Sequence, residues 1–162
     1  MLGLDSMAFP VSYKKLAMEV EDFLSAEEEG RIIEAIKRAE SRTSGEIRVH
    51  LERNLKVDPI LRAEEIFCLL GMDRTTYKNG VLFYVAVDDH RFAVIGDEGI
   101  DKVVPDDFWD SIKNEVVQEF ARGDHAKGLI AGILHAGEKL KEYFPYDHEN
   151  GNELSDEISK HH

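Results

Sequence analysis

Acidic residues follow a predicted strand and precede a predicted helix, where they could bind a cation. Asp88 and Asp89 come directly after the apolar run 81–87, and Asp124 comes just before the apolar stripe of the last predicted helix. Carboxylate oxygens are the ligands that Ca²⁺ and Mg²⁺ prefer in proteins. Carboxylates gathered in one crevice repel each other unless a cation neutralises them. Asp88, Asp89 and Asp124 are therefore candidate ligands for a divalent cation, Ca²⁺ or Mg²⁺.

The same three residues also have ordinary structural explanations. Aspartate is a common turn former, which suits Asp88 and Asp89 between two apolar runs. Aspartate is also a preferred helix N-cap, which suits Asp124. These roles explain each residue singly, but they do not explain why three carboxylates should lie at one end of a sheet.

Hydrophobic periodicity predicts the elements that position these residues. Ser25 and Glu28 have the spacing of a capping box and begin a helix with one apolar stripe. Residues 46–52 alternate strictly between polar and apolar side chains, which predicts a strand covered on one face only. Further elements are predicted as a helix over 13–23, a helix from Asp58-Pro59 to Gly71, strands over 81–87 and 91–95, and helices from about 105 and from Asp124.

This order of elements predicts a three-layer α/β/α sandwich around a small mixed β-sheet. The first two strands are joined by a helix and should be parallel, whereas the second and third form an antiparallel hairpin. The run 81–87 is apolar on both faces and needs helices on both sides. We predict a frayed N-terminal arm and short helix over 1–22, the domain over 23–144, and a solvated acidic tail over 145–162.

Topology sorts the acidic residues between the two ends of the sheet. Asp88, Asp89 and Asp124 fall at the carboxyl ends of the parallel strands, with Glu52 or Asp58 as further neighbours. In open α/β sheets the ligand crevice lies at this end, so this end is favoured for the site. The opposite end receives a second acidic group, formed by Glu46, Asp97, Glu98 and Asp101.

Composition excludes several classes of protein. Lys and Arg number 20 against 33 Asp and Glu, and the resulting net charge of −13 disfavours nucleic-acid binding. The single cysteine, Cys68, excludes an intrachain disulfide framework and is predicted to lie in the core. The longest apolar run, 81–87, is far shorter than the roughly 20 residues of a membrane span. Without a leader pattern at residues 1–12, a cytoplasmic protein is expected.

Motifs for enzymatic chemistry are weak in this sequence. It contains no P-loop, and Gly96-x-x-Gly99 lacks the third glycine of a dinucleotide-binding loop. No nucleophile elbow marks a catalytic serine. His90 or His125 could act as a general acid beside a phosphate, although ordinary surface placement explains both. Trp109 is interpreted as a core residue.

Six short motifs lie at 23–25, 44–49, 79–82, 88–92, 96–99 and 123–129. Taken in order and with their spacing, they resemble the TPM domain family. That family is named after a thylakoid-lumen protein, a photosystem repair factor and a receptor modulator. The resemblance covers about 23–143 and is strongest to the short stand-alone bacterial members, which share Asp107-Phe108-Trp109 and the run 152–159.

The resemblance implies an α/β/α sandwich, divalent-cation binding in a loop crevice, and an acid-phosphatase activity proposed for plant members. It assigns no catalytic residues, and it maps only Asp88, Asp89 and Asp124 onto matching acidic positions. Many relatives carry a signal peptide and a membrane helix, which are lacking here. This difference also favours the cytoplasm.

Two functions remain open from the sequence. The first is a cation-binding module that recruits a protein partner or assists assembly, and the second is a metal-assisted acid phosphatase. No Cys-x5-Arg motif and no paired-histidine metal motif strengthens the enzyme hypothesis, so the sequence favours the module. Substrate, partner and oligomeric state are not specified by any residue pattern.

Overall fold

The computed structural model describes residues 2–3, 7–8, 20–54, 57–148 and 154–161, and a mixed β-sheet flanked by helices lies at its centre. The strands are β1 (Leu2–Gly3), β2 (Met7–Ala8), β3 (Glu46–Glu52), β4 (Gly80–Ala86), β5 (Arg91–Gly96) and β6 (Ser159–His161). The helices are α1 (Val20–Phe23), α2 (Ala26–Glu40), α3 (Pro59–Leu69), α4 (Glu98–Asp101), α5 (Asp110–Ala121) and α6 (His125–Leu140).

The sheet has the order β1-β5-β4-β3-β6, and β2 also pairs with β5. β3 and β4 are parallel, with Val49 opposite Phe83, whereas β4 and β5 are antiparallel, with Phe83 opposite Val94. One core lies between the sheet and helices α2, α5 and α6, and a second lies between the sheet and α3. The predicted three-layer α/β/α sandwich is therefore confirmed.

Local sequence signals set most of the helix ends as predicted. The Ser25 hydroxyl and the Glu28 carboxylate form the reciprocal capping box at the start of α2. Asp58 caps α3 with Pro59 at the first position, and Gly71 takes the left-handed backbone (φ 72°) after that helix. Helix α5 begins later than predicted, because 105–109 form turns that bury Trp109 at the N-cap position.

The polar face of β3 is buried, so the prediction of a strand covered on one face only is wrong. Glu46, His50 and Glu52 are each at most 3% exposed. Helix α3 and the C-terminal segment 154–161 cover this face, and Leu154 packs against the α3 core. The alternation of polar and apolar residues in β3 therefore correctly indicates two different faces, but both faces are buried in the protein.

The chain ends also add strands that periodicity did not predict. The described parts of the N-terminal arm, β1 and β2, pair with β5, so the expectation of a frayed arm is wrong for these four residues. β6 pairs in parallel with β3, so the acidic tail is not wholly solvated. Positions 13–19 of the predicted first helix lie outside the described residues, and α1 occupies the remainder.

Cys68 is exposed on α3, which makes its predicted place in the core wrong. The buried residues of this helix are Pro59, Ala63, Ile66 and Phe67, so the apolar stripe turns away from the cysteine. None of the described helices is long and apolar enough to cross a membrane.

Close packing between helices depends on two glycines of α6. A Cβ atom at Gly137 would lie 2.7 Å from the Cβ atom of Ala39 in α2, which is a severe overlap. A Cβ atom at Gly132 would lie 2.5 Å from Val116 in α5 and 3.1 Å from the Phe83 ring. Helix α6 therefore lies nearer to its neighbours than a helix with alanine at these positions could.

We predict that Phe83→Ala lowers the free energy of unfolding by about 3–5 kcal/mol, because it leaves a cavity beneath α6. Phe83 is fully buried in the middle of β4. Leu69→Ala is the control, since Leu69 is 72% exposed and its loss should cost less than about 0.5 kcal/mol. Equal costs for the two variants in urea titration would contradict the assignment of β4 as the central buried strand.

Two glycine-to-alanine changes should alter stability in opposite directions. Gly137→Ala should destabilise the protein by about 1–3 kcal/mol, because the new methyl group overlaps Ala39. Gly30→Ala should stabilise it by up to about 1 kcal/mol, because this helical glycine has nothing within 4 Å of its Cβ position. Thermal melts of both variants test the close approach of α2 and α6, and stabilisation by both changes would contradict it.

Candidate functional site

The turn between β4 and β5 extends the parallel pairing of β3 and β4. The backbone N–H of Asp88 donates to the Arg53 carbonyl at 2.9 Å, one step beyond the end of β3. His90 closes the turn with a positive φ of 52°. Asp88 and Asp89 thus lie at the carboxyl ends of the parallel strands, as the topology predicts.

The N-terminus of α6 lies near the same turn. The Asp124 carboxylate accepts the backbone N–H of Lys127 at 3.1 Å, which confirms its predicted capping role. The ring of His125 stacks on Phe23, with centroids 4.3 Å apart. Burial lowers the pKa of His125, whereas the charge of Glu28 raises it. The Phe120 ring lies 5.2 Å from the His125 ring and 5.8 Å from the Phe92 ring at the start of β5, so the two loops are neighbours.

The three predicted ligands have different environments. The Asp88 carboxylate accepts a hydrogen bond from Nε of Arg53 at 3.0 Å, in an ion pair that the sequence did not predict. Asp89 is exposed, and its charge contributes to the raised pKa of the Tyr84 hydroxyl, for which burial is the largest cause. Asp124 is exposed and caps its helix. Across 20–54, 57–148 and 154–161, no three His, Cys, Asp or Glu side chains are grouped closely enough to hold a metal ion.

Glu52, named as a further neighbour, belongs to a buried ion pair instead. Nε of Arg62 lies 3.0 Å and 2.8 Å from the two Glu52 oxygens, and the Tyr84 hydroxyl donates to the same carboxylate at 2.6 Å. Burial alone would raise the pKa of Glu52, but the hydrogen bonds from Arg62, His50 and Tyr84 lower it well below its usual range. Asp58 accepts the N–H of Ile60 at 2.8 Å as a helix cap.

His50 links this ion pair to the C-terminal strand. Its Nδ1 lies 2.9 Å from the Ser159 hydroxyl, and its Nε2 lies 3.6 Å from a Glu52 oxygen. A cavity of about 310 Å³ opens beside Glu52 and Arg62. Sequence reasoning missed this network, although the alternating polar positions of β3 carried the signal. Because Arg62 neutralises Glu52, the network joins elements together and leaves little charge for a ligand.

The acidic residues predicted at the opposite end have different environments. Asp97 caps α4 by accepting the Glu98 N–H at 2.7 Å, and burial raises the pKa of Asp97. Glu98 is exposed, whereas Glu46 is buried beneath the sheet face that α3 covers. This arrangement is consistent with structural roles for these acidic residues.

A second pair of carboxyl groups fixes the tail to the start of β3. The backbone N–H of Ile47 donates to Glu40 Oε2 at 2.9 Å, and the Glu40 side chain is hydrogen bonded to Asp156. Burial, followed by this hydrogen bond, raises the pKa of Glu40 far above its ordinary value. Two carboxyl groups can bond in this way only when one of them keeps its proton.

Glu40→Gln should stabilise the protein increasingly as the pH rises. In the folded chain Glu40 stays protonated, whereas in the unfolded chain it ionises near its ordinary pKa of about 4.3. The wild-type free energy of unfolding therefore falls above that pH, by up to about 1.4 kcal/mol per pH unit, and glutamine does not share this loss. Urea titrations between about pH 4 and pH 8 measure the difference.

Glu34→Gln is the matched control, because Glu34 is 71% exposed in the same helix. Its stability difference from wild type should stay flat across the same pH range. A flat difference for Glu40→Gln as well would show that Glu40 ionises normally in the folded chain.

The comparisons with known proteins agree on one family. The sequence model of the TPM domain matches residues 18–139. The BA42 protein from the psychrophilic bacterium Bizionia argentinensis is 48% identical to this chain, with a TM-score of 0.83 over 88% of this chain and 99% of that chain. A search of curated proteins gives no match.

Two more distant solved structures share the fold alone. The N-terminal domain of a protein from P. gingivalis is 21% identical, with a TM-score of 0.62 over 78% of this chain and 82% of that chain. The N-terminal domain of the cg2496 protein from Corynebacterium glutamicum is 14% identical, with a TM-score of 0.60 over 96% of each chain.

Proposed function

Because this chain belongs to the TPM domain family, we propose that it is a binding module for a divalent cation, Ca²⁺ or Mg²⁺, at the carboxyl ends of β3 and β4. Asp88, Asp89 and Asp124 are the proposed carboxylate ligands. Because no three such side chains among the described residues are grouped closely enough to hold an ion, binding must draw the β4–β5 turn and the start of α6 together. The observation that carries the proposal is the approach of the β4–β5 turn to the N-terminus of α6. The Phe120 ring contacts both Phe92, the second residue of β5, and His125, the first residue of α6.

Exposure and charge support this site. The Asp89 and Asp124 side chains are exposed, so their outer oxygens can meet an ion without unfolding a core. The net charge of −13 attracts cations from solution. Ca²⁺ takes six to eight oxygens, and backbone carbonyls of the two loops and water molecules can complete the set.

Arg53 forms an ion pair with Asp88, and the cation must replace Arg53 in order to bind this carboxylate. Its guanidinium holds the Asp88 carboxylate at 3.0 Å, and the Arg53 side chain is about one third exposed. Cation binding then exchanges one partner of Asp88 for another, while Arg53 moves into solvent. With the cation bound, the β4–β5 turn and the start of α6 would together form the surface that a protein partner contacts.

The alternative is metal-assisted hydrolysis of a phosphomonoester, the activity that the name of the family model includes. It is favoured by His125, whose lowered pKa keeps the imidazole neutral and able to accept a proton. However, this ring stacks on Phe23 and meets the edge of Phe120, so its orientation is set by packing. We therefore prefer the module.

Calorimetric titration with Ca²⁺ and Mg²⁺ tests the site. Asp88→Asn, Asp89→Asn and Asp124→Asn should each weaken binding about tenfold, since each removes one anionic ligand worth about 1.4 kcal/mol. Asn also caps helices, so Asp124→Asn keeps the start of α6 intact. Arg53→Gln should tighten binding, because it removes the competing guanidinium. Saturating cation should raise the melting temperature of the wild type.

The controls are Asp97→Asn and Glu98→Gln, which lie about 20 Å away at the other end of the strands. They should leave the cation affinity unchanged. Loss of binding in these two variants, with normal binding in the Asp88 and Asp124 variants, would overturn the proposed site. If the wild type hydrolyses p-nitrophenyl phosphate and Asp88→Asn abolishes that activity, the phosphatase function would replace the binding-module function.

A further inference from the structure

A cavity of about 680 Å³ lies at the amino ends of the parallel strands, opposite the proposed cation site. Four aromatic side chains line it: Tyr77 from the loop before β4, and Tyr143, Phe144 and Tyr146 from the segment after α6. Tyr77 is 41% exposed and Tyr146 is 44% exposed, so aromatic rings are open to solvent at this site. The volume falls in the range of small-molecule sites.

The segment that carries three of these rings is held firmly to the start of β3. The Phe144 carbonyl accepts the backbone N–H of Ser44 at 3.0 Å and also the hydroxyl of Thr43. Thr43 and Pro145 form an antiparallel β-bridge. The Tyr143 ring also packs edge-on against Phe108, with centroids 6.0 Å apart. Much of the cavity wall is therefore preformed, which lowers the cost of binding a ligand.

One carboxylate gives the aromatic cavity a negative charge. Asp147 lines the cavity, and the Tyr77 hydroxyl donates to its Oδ2 at 2.5 Å. Among the described residues that line the cavity, neither lysine nor arginine occurs, and the one histidine, His148, packs edge-on against the Tyr146 ring with centroids 4.7 Å apart. The faces of aromatic rings carry partial negative charge and attract cations, most strongly where water is displaced. Rings and carboxylate thus favour the same sign of ligand charge.

We propose that this cavity binds an organic ammonium cation, with the aromatic rings around its alkyl groups and Asp147 as counter-ion. A hard metal ion would need six or more oxygen ligands, which a mainly aromatic wall does not supply. A neutral apolar ligand would gain nothing from Asp147. A methylated or otherwise alkylated ammonium group satisfies both features, because its charge is spread over apolar surface.

This site is independent of the proposed cation function. It lies at the other end of the strands and uses none of Asp88, Asp89 or Asp124. Failure of either proposal therefore leaves the other intact, and a Ca²⁺ titration of the same sample separates them.

The experiment compares choline with 3,3-dimethyl-1-butanol, a neutral molecule of nearly the same shape. Two-dimensional ¹H–¹⁵N NMR of the full chain follows the backbone signals of Tyr77 and 143–148 in a low-salt buffer. We expect choline to shift these signals saturably, and the neutral analogue to bind at least about tenfold more weakly. Trimethyllysine amide and a peptide containing it then tell whether a free ligand or a protein side chain is preferred.

Two variants test the roles of ring and carboxylate. Tyr146→Leu keeps apolar bulk but removes one ring, and Asp147→Asn keeps shape but removes the charge. Each should weaken choline binding about five- to tenfold. Glu27→Gln, an exposed change on α2 that removes the same charge, should leave choline affinity unchanged. Unchanged amide spectra away from the cavity verify that the variants are folded.

Several results would overturn the proposal. Equal binding of choline and its neutral analogue would make the cavity an apolar site. Equal affinities for wild type and the Asp147→Asn and Tyr146→Leu variants would place choline elsewhere. No shift of these signals at the highest soluble choline concentration would also contradict an ammonium site.

Discussion

A charge buried on a β-strand must be neutralised, and in this protein Arg62 of α3 neutralises Glu52 of β3. An uncompensated carboxylate in this position would cost several kcal/mol, so α3 cannot leave the sheet without a penalty. Tyr84 of β4 donates to the same carboxylate, and His50 carries the network on to Ser159 of β6. One ion pair therefore connects a helix, two central strands and the C-terminal segment.

Helix α6 relates the two ends at which we propose binding. Its N-terminus contributes Asp124 beside the β4–β5 turn, and the segment after its last residue contributes Tyr143, Phe144 and Tyr146 to the aromatic cavity. The contact between Gly137 and Ala39 fixes this helix against α2. The two ends differ in chemistry, since exposed carboxylates suit a hard ion and aromatic rings suit a soft, spread charge.

The sequence predicted features that depend on neighbouring residues and missed those that depend on distant ones. Capping by Ser25 and Asp58, the left-handed Gly71 and the buried strand β4 all follow from local patterns and were predicted. The short strands β1, β2 and β6 have too few residues to show a period. The pairing of Arg53 with Asp88 joins positions 35 residues apart, so no local spacing indicated it. At the candidate site, topology placed the turn and α6 together but could not orient their side chains.

Both edges of the sheet are covered by segments from near the ends of the described chain, β1 and β2 on β5 and β6 on β3. An uncovered edge presents unpaired N–H and C=O groups, which recruit strands from other molecules. These short segments thus protect the edges of β5 and β3 against edge-to-edge aggregation, although they add little to either core. An affinity tag or a proteolytic cut that displaced them would expose the backbone N–H and C=O groups of β5 and β3 to pairing with strands of other molecules.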